Sequence, residues 1–328
     1  MTAPASAPDV IAAALAAAGV RYLFGMPGGG NNLDVIGACE ARGLRFVLAH
    51  GETAAAIMAS AHAELTDTIG ACLVTRGPGA ASAVNGAAQA NQDRQPLLLI
   101  CDTVDEASTP RIAHQNIDQR AMFAPVTKWS TTLGSIAPDD VMRDAINAAM
   151  TPPRGAIHLD VDPGYSRTDS PPPPSPEEAG SIAAVIRRLS GATRPVVLVG
   201  VGARSHAAAI RELVAGTGIP VMMTYKAKGV VPDSGPNSAG TFTGARSDGA
   251  VLAHADVILA LGLDSIELIP NPWDYPAPVV TLSEYRDPHR YFDPEQAVVG
   301  PLAKLIEQLP ELHDDWPSGF AAEHRASI

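Results

Sequence analysis

The stretch RFVLAHGETAAAIMASAHAEL, residues 45–65, decides the class of fold. An apolar run reaches His50-Gly51, turns, and enters an alanine-rich helix whose first turn carries one acid, Glu52. Outward from it the same alternation recurs. Helices are predicted over 8–18, 31–42, 52–65, 80–91 and 138–149, and strands over 20–24, 45–49, 70–75, 96–101 and 155–161. After RTDSPPPPSPEEAG (167–180) come helices 177–190, 205–216, 246–254 and 301–308, with strands 195–200, 219–224, 256–261 and 278–282. Strands alternating with helices at this spacing predict an α/β protein with doubly wound parallel sheets. The four consecutive prolines cannot continue a helix or a central strand, so 167–180 reads as a stiff linker between residues 1–166 and 181–328.

Bulk properties narrow the class. Apolar residues make up 46% and charged residues 18% of the 328, which describes a globular chain able to bury a sizeable core. The net charge of −12, with no basic run, argues against a nucleic-acid partner. Cys39, Cys72 and Cys101 are odd in number and widely spaced, so they make neither a disulfide framework nor a zinc pattern. No basic residues precede the first apolar stretch and no apolar run is long enough to span a bilayer, so the expectation is a cytoplasmic protein without a membrane partner.

In doubly wound sheets ligands sit beyond the carboxyl ends of the strands, so the loops there carry the chemistry. FGMPGGGNN (24–32) and LVTRGPGAAS (73–82) both run from strand through glycine into helix. Such loops can cradle phosphate on backbone N–H groups, but neither ends in the Gly-Lys-Ser/Thr of a nucleotide loop. A tight turn requiring glycine explains each equally well. Together they flank the turn that carries Glu52, which suggests one crevice lined by backbone and a single acid. An acid at a helix N-terminus is also simply favourable to the dipole. VVLVGVGARS (196–205) is a partial dinucleotide fingerprint without the ribose-binding acid about 20 residues on, and reads as a structural glycine turn. Ser205 and His206 are adjacent without a nucleophile elbow, and His50, His62, His114 and His158 lack metal-ligand spacing. His62 and His158 read as structural.

The blocks FGMPGGGNNLDVI, FVLAHGETAAAIMASAHAEL, LVTRGPGAASAVNGAAQANQDRQPLLLICD, IDQRAMFAPVTKW and PPRGAIHLDVD resemble, in that order, the thiamine-diphosphate enzymes of the acetolactate synthase and benzaldehyde lyase group. RPVVLVGVGAR, IPVMMTYKAKGVVPDSGPNSAGTFTG and ADVILALGLDS resemble the Rossmann-like central domain of the same enzymes. The resemblance implies a pyrimidine-binding domain over 1–166 in which Glu52 matches the family's one glutamate. That acid hydrogen-bonds the pyrimidine ring nitrogen and favours the imino tautomer, which removes the thiazolium C2 proton. Such chemistry needs a carboxyl group able to keep or share a proton, hence one shielded from water. The cofactor supplies the carbon–carbon chemistry and the protein tunes it.

By the same carry-over Met26, Pro27 and Gly28 line the mouth of the site, and Thr75, Gly77, Pro78 and Gly79 lie against the cofactor. Arg76 departs from the small polar residue of that position. His114 and Gln115, in AHQNIDQ, match a loop that faces substrate and become candidates for proton transfer or orientation.

The family's diphosphate-binding domain, with its Gly-Asp-Gly and magnesium, has no counterpart in these residues. The expectation is therefore a split enzyme. A second chain would hold most of the thiamine diphosphate and Mg2+, two copies of this chain would pair in an α2β2 assembly, and the substrate would be a small 2-oxo acid or aldehyde. No metal ligand is expected on this chain. GTFTGARSD does not match the family's FAD pattern, so no FAD is expected. The rival from another class is a non-catalytic regulatory or scaffold paralogue of the same fold. A Rossmann-type nucleotide-binding protein leaves Glu52 unexplained.

Overall fold

The computed structural model describes residues 6–327 apart from 106, 107, 109, 111, 112, 163, 167, 168, 245–247, 269–271 and 288–290. It divides into two compact units, Met1–Ser175 and Pro176–Ile328.

In the first unit the elements run α1 (Ala7–Ala17), β1 (Tyr22–Met26), α2 (Asn31–Glu40), β2 (Arg45–Leu48), α3 (Glu52–Thr66), β3 (Gly70–Val74), α4 (Pro78–Gln92), β4 (Leu97–Asp102), α5 (Gln119–Phe123), β5 (Trp129–Leu133), α6 (Pro138–Met150) and β6 (Ala156–Val161). The six strands are all parallel in the order β2-β1-β3-β4-β6-β5. Every residue of β3, β4 and β6 is buried, as strands covered on both faces must be. One face packs Ile11, Leu15, Val35 and Met142 from α1, α2 and α6 against Leu23, Leu73, Leu98 and Ile100. The other is built from alanines of α3 and α4 with Phe123, against Cys72, Val74, Leu99 and Cys101. Small residues bring α3 and α4 so close that a Cβ on Gly86 would lie 2.5 Å from the Ala56 Cβ.

β1 starts later than predicted because Gly19, at φ +79°, and the Val20 amide, bonded to the Leu15 carbonyl, still belong to the exit of α1. Strand β5, whose text WSTTL carries little apolar signal, is an addition to the predicted set, as is α5. Asp169, within the proline-rich stretch, is fastened to the first unit by Arg120 Nη1 at 2.7 Å and the Thr132 amide at 2.7 Å. Farther on, Ala179 pairs with Val299 of the second unit.

The second unit holds α7 (Ile182–Ser190), β7 (Pro195–Val199), α8 (Ala207–Leu213), β8 (Val221–Met223), β9 (Ser238–Thr241), α9 (Gly249–Leu252), β10 (Val257–Leu261), β11 (Val279–Ser283), β12 (Gln296–Val299), α10 (Leu302–Glu307) and α11 (Phe320–Ser327). Its sheet, β12-β11-β10-β7-β8-β9, is also parallel throughout, in the strand order of the dinucleotide-binding folds. Both sheets confirm the doubly wound α/β class. The helix predicted from 205 is preceded by a 3-10 turn over Val201–His206 and holds α-geometry only from Ala207 to Leu213. β9, β12 and α11 complete the unit beyond the predicted elements. The helix predicted over 246–254 falls partly outside the described residues; within them it spans Gly249–Leu252.

Candidate active site

Connections leave β1 in opposite directions, to β2 on one side and, after β2, to β3 on the other. A sheet opens a crevice at the carboxyl ends of its strands where the winding reverses in this way. Met26-Pro27-Gly28 leaves β1 and Thr75–Gly79 leaves β3 at that point, while Glu52 is the first residue of α3, which follows β2.

Close approach locks these pieces together. A Cβ on Gly28 would fall 2.2 Å from Thr75 Oγ1, and one on Gly79 would fall 2.5 Å from Thr75 Cγ2 and 3.2 Å from Glu52 Oε1. Thr75 is therefore the wedge between the two glycine loops, with the Glu52 carboxylate beside Gly79. Gly77 takes φ +65° and Pro78 opens α4, the position where a missing N–H costs nothing. The Gly77 turn abuts Gln115, since a Cβ on Gly77 would meet the Gln115 carbonyl oxygen at 2.6 Å. Gln115 itself takes φ +59°.

Thus Gly28, Glu52, Thr75 and Gly79 meet directly, and Gln115 joins them through Gly77. Met26 is 39% exposed at the end of β1, and Pro78 is exposed too. Glu52 is half-buried within this chain and His114 is exposed.

Beneath the loops lies a polar layer that sequence reasoning missed. The Gln119 side chain, 3% exposed, accepts a hydrogen bond from the Gly77 amide at 2.7 Å. It donates to the Asp102 carbonyl at 3.1 Å and to the Asp160 carboxylate. Asp102, at the end of β4, accepts from Asn31 Nδ2 at 3.1 Å and would sit 2.6 Å from a Cβ on Gly30. Arg76 turns toward it, with Nη1 3.8 Å from Asp102 Oδ2 and 3.5 Å from the Thr103 carbonyl. Burial pushes the Asp102 carboxyl above its ordinary range, although Arg76 and Asn31 pull the other way. No sequence signal marks these residues, because their partners lie 17 to 71 residues away.

The switch point of the second unit, between β7 and β10, is filled by the chain itself. A Cβ on Gly200 would lie 2.5 Å from the Gly262 carbonyl, and one on Gly262 would lie 2.4 Å from the Ala203 amide nitrogen. The glycines of the partial fingerprint thus serve backbone contact. Glu267 Oε2 accepts from the Val201 amide at 2.8 Å and Oε1 from Thr224 Oγ1 at 2.5 Å. Burial raises the Glu267 carboxyl to about 7. An internal carboxylate therefore occupies an amide that a phosphate would seek. The stretch read for FAD includes 245–247, which lie outside the described residues.

Of the histidines, His62 packs against the Tyr22 and Phe24 rings at 5.2 and 5.9 Å. His50 is exposed, and His206 lies 3.5 Å from Glu284. Among the described residues no helix is long and apolar enough to cross a membrane.

Comparison with known proteins matches residues 6–122 to the thiamine pyrophosphate enzyme N-terminal TPP binding domain. Residues 182–309 match the thiamine pyrophosphate enzyme central domain. The chain is 29% identical over 333 residues to an acetolactate synthase of Bacillus subtilis (strain 168), covering 95% of this chain and 58% of that protein. It is 28% identical over 339 residues to a 2-hydroxyacyl-CoA lyase of Oryza sativa subsp. japonica, with the same coverage of 95% and 58%. With 2-hydroxyacyl-CoA lyase 1 of Mus musculus it shares 32% over 272 residues, 78% of this chain and 46% of that one. The chain thus spans about half the length of the curated relatives it matches. It belongs to the thiamine pyrophosphate enzymes, of which it carries the N-terminal and central domains.

Proposed function

We propose that this chain is the pyrimidine-side subunit of a split thiamine-diphosphate-dependent enzyme that joins or cleaves carbon–carbon bonds, acting on a small 2-oxo acid or aldehyde. The observation that carries the reading is the Glu52 carboxylate, 3.2 Å from where a Gly79 side chain would begin, at the switch point of the first sheet. A single carboxyl group held beside tightly packed backbone turns at the carboxyl ends of the strands suits a nitrogen-bearing ring such as the aminopyrimidine. On those grounds the residues present fit that end of the cofactor. When bound, thiamine diphosphate supplies a nucleophilic thiazolium carbon that can also hold an electron pair.

This chain's part is to bind and to manage a proton. Glu52 Oε1 would share its proton with the pyrimidine ring nitrogen. Gly28 and Gly79 leave no room for water against Thr75, and Met26 offers an apolar contact at the rim. Gln119 holds the Gly77 amide and so braces the turn that faces the site. Gln115, against Gly77, and His114, on the same loop, would orient substrate polar groups.

In this reading the diphosphate and its Mg2+ would be held by a second chain. Support for a docking face comes from the exposed large apolar side chains. Among the described residues, seven of the eight such side chains, including Met26, Leu33, Leu48, Met58 and Leu65, belong to the first unit. An α2β2 assembly follows if two such chains pair. Three free, buried cysteines accord with a reducing, cytoplasmic setting.

The test is purification of the native complex followed by Glu52→Gln. Assembly should persist while turnover falls by about 10²–10⁴-fold, the usual worth of a positioned acid or base. A complex whose turnover ignores the substitution would favour the scaffold paralogue.

A further inference from the structure

We propose a buried transition-metal site, fitted to Zn2+, formed by Cys101, His158 and Asp160 on the adjacent strands β4 and β6. One ligand atom from each lies within 4.8 Å of the others. Cys101 and Asp160 are direct register partners, and His158 is two residues before Asp160, so all three project from one face. Cys101 and His158 are 0% and Asp160 5% exposed.

His158 supplies the observation that points to a ligand. Its Nδ1 is within 2.8 Å of Ser130 Oγ, and its ring stacks on Phe123 with centroids 4.2 Å apart and planes 18° apart. The ring is therefore fixed in orientation. Its Nε2 is buried with no hydrogen-bond partner, although Asp160 Oδ1 lies 3.2 Å away. The carboxylate is close to that nitrogen but outside hydrogen-bond alignment. A cation that both can ligate resolves the conflict.

Charge favours the same occupant. A divalent ion with one thiolate, one carboxylate and a neutral imidazole makes a cluster of zero net charge, the condition under which burial is tolerated. On binding, the Cys101 thiol gives its proton to solvent; no electron moves. Nitrogen, sulfur and oxygen donors together suit Zn2+, and three protein ligands leave a fourth vertex of the tetrahedron. Two of the ligands are themselves held in place, the imidazole by Ser130 and the Asp160 carboxylate by Gln119. Through Gln119, which also holds the Gly77 amide, the ion would steady the glycine loop.

The site is closed, so metal must enter as the chain folds. The full chain, produced in medium supplemented with Co2+, should carry one equivalent and absorb in the thiolate-to-cobalt charge-transfer region. Cys101→Ser should abolish that band and Cys39→Ser, on the opposite face of the sheet, should keep it. Ser130→Ala, which removes only the imidazole's support, should weaken metal retention by about 10–100-fold. Wild-type protein without stoichiometric metal, or a band that survives Cys101→Ser, overturns the proposal. Should Cys101→Ser not fold, unchanged retention in Ser130→Ala overturns it as well.

Discussion

Glu267 gives the second unit a pH dependence that can be worked out in advance. Its carboxyl is raised from 4.5 to about 7, chiefly by burial, while Thr224 and the Val201 amide pull it down. Between those values the folded chain keeps a proton that the unfolded chain has released. Raising the pH through this window therefore favours unfolding, and stability falls. A proton held by only one of the two states is worth about 1.4 kcal/mol for each step of one in pH, so the loss amounts to about 3 kcal/mol between pH 4.5 and 7. For a domain of this size that corresponds to a fall of about 6–12 °C in the melting temperature. Glu267→Gln removes the titration and retains an amide oxygen for the Val201 N–H, while the Thr224 hydroxyl can rotate to accept from the amide nitrogen. The wild-type and variant melting curves of the second unit, recorded by calorimetry at closely spaced pH values, should converge at low pH. By pH 7 the variant should be the more stable. Parallel curves across the window would refute the assignment of a proton to this buried carboxyl.

Three further substitutions test the close contacts. Gly200→Ala should destabilise the second unit by about 1–3 kcal/mol in urea titrations, because its Cβ would press on the Gly262 carbonyl and Leu263 Cα, both at 2.5 Å. Gly37→Ala, in α2 with nothing within 4 Å, should instead stabilise the first unit by about 0.5–1 kcal/mol. Gln119→Leu strands the Gly77 amide and the Asp102 carbonyl and should cost about 2–4 kcal/mol. Hydrogen exchange at the Gly77 amide should accelerate in that variant more than at the centre of β3; equal protection would deny Gln119 its role.

The sequence announced most of the architecture through particular signals. Continuous apolar runs such as LLLIC marked strands buried on both faces, and the passage from strand through glycine into helix at 73–82 marked α4, which starts at Pro78, two residues earlier than predicted. The switch point of the first sheet could be inferred because the two glycine loops and the Glu52 turn bracket it. What escaped notice shares a physical cause. Strand β5 is rich in serine and threonine, and β9 reads SAGT, so neither carries the apolar contrast on which strand reading depends. Gln119, Asp102 and Asp160 are ordinary polar letters until folding brings them beneath Gly77. The Gly200-x-Gly202 pair, by contrast, was legible: without a ribose-binding acid it reads as a structural turn, and its glycines do let two backbone turns touch.

The strand order of the first unit also dictates the schedule of its synthesis. β5 is made before β6 but pairs only with β6, which inserts between β5 and β4. From the moment residues 129–133 leave the ribosome until residues 156–161 follow, β5 has no ladder to join and β4 presents an open edge. An apolar strand in that position would invite pairing with a neighbouring nascent chain. Ser130, Thr131 and Thr132 can be hydrated while they wait. Thr131 and the Thr132 amide find their last partner in Asp169, so this edge of the sheet closes only when the proline-rich stretch arrives.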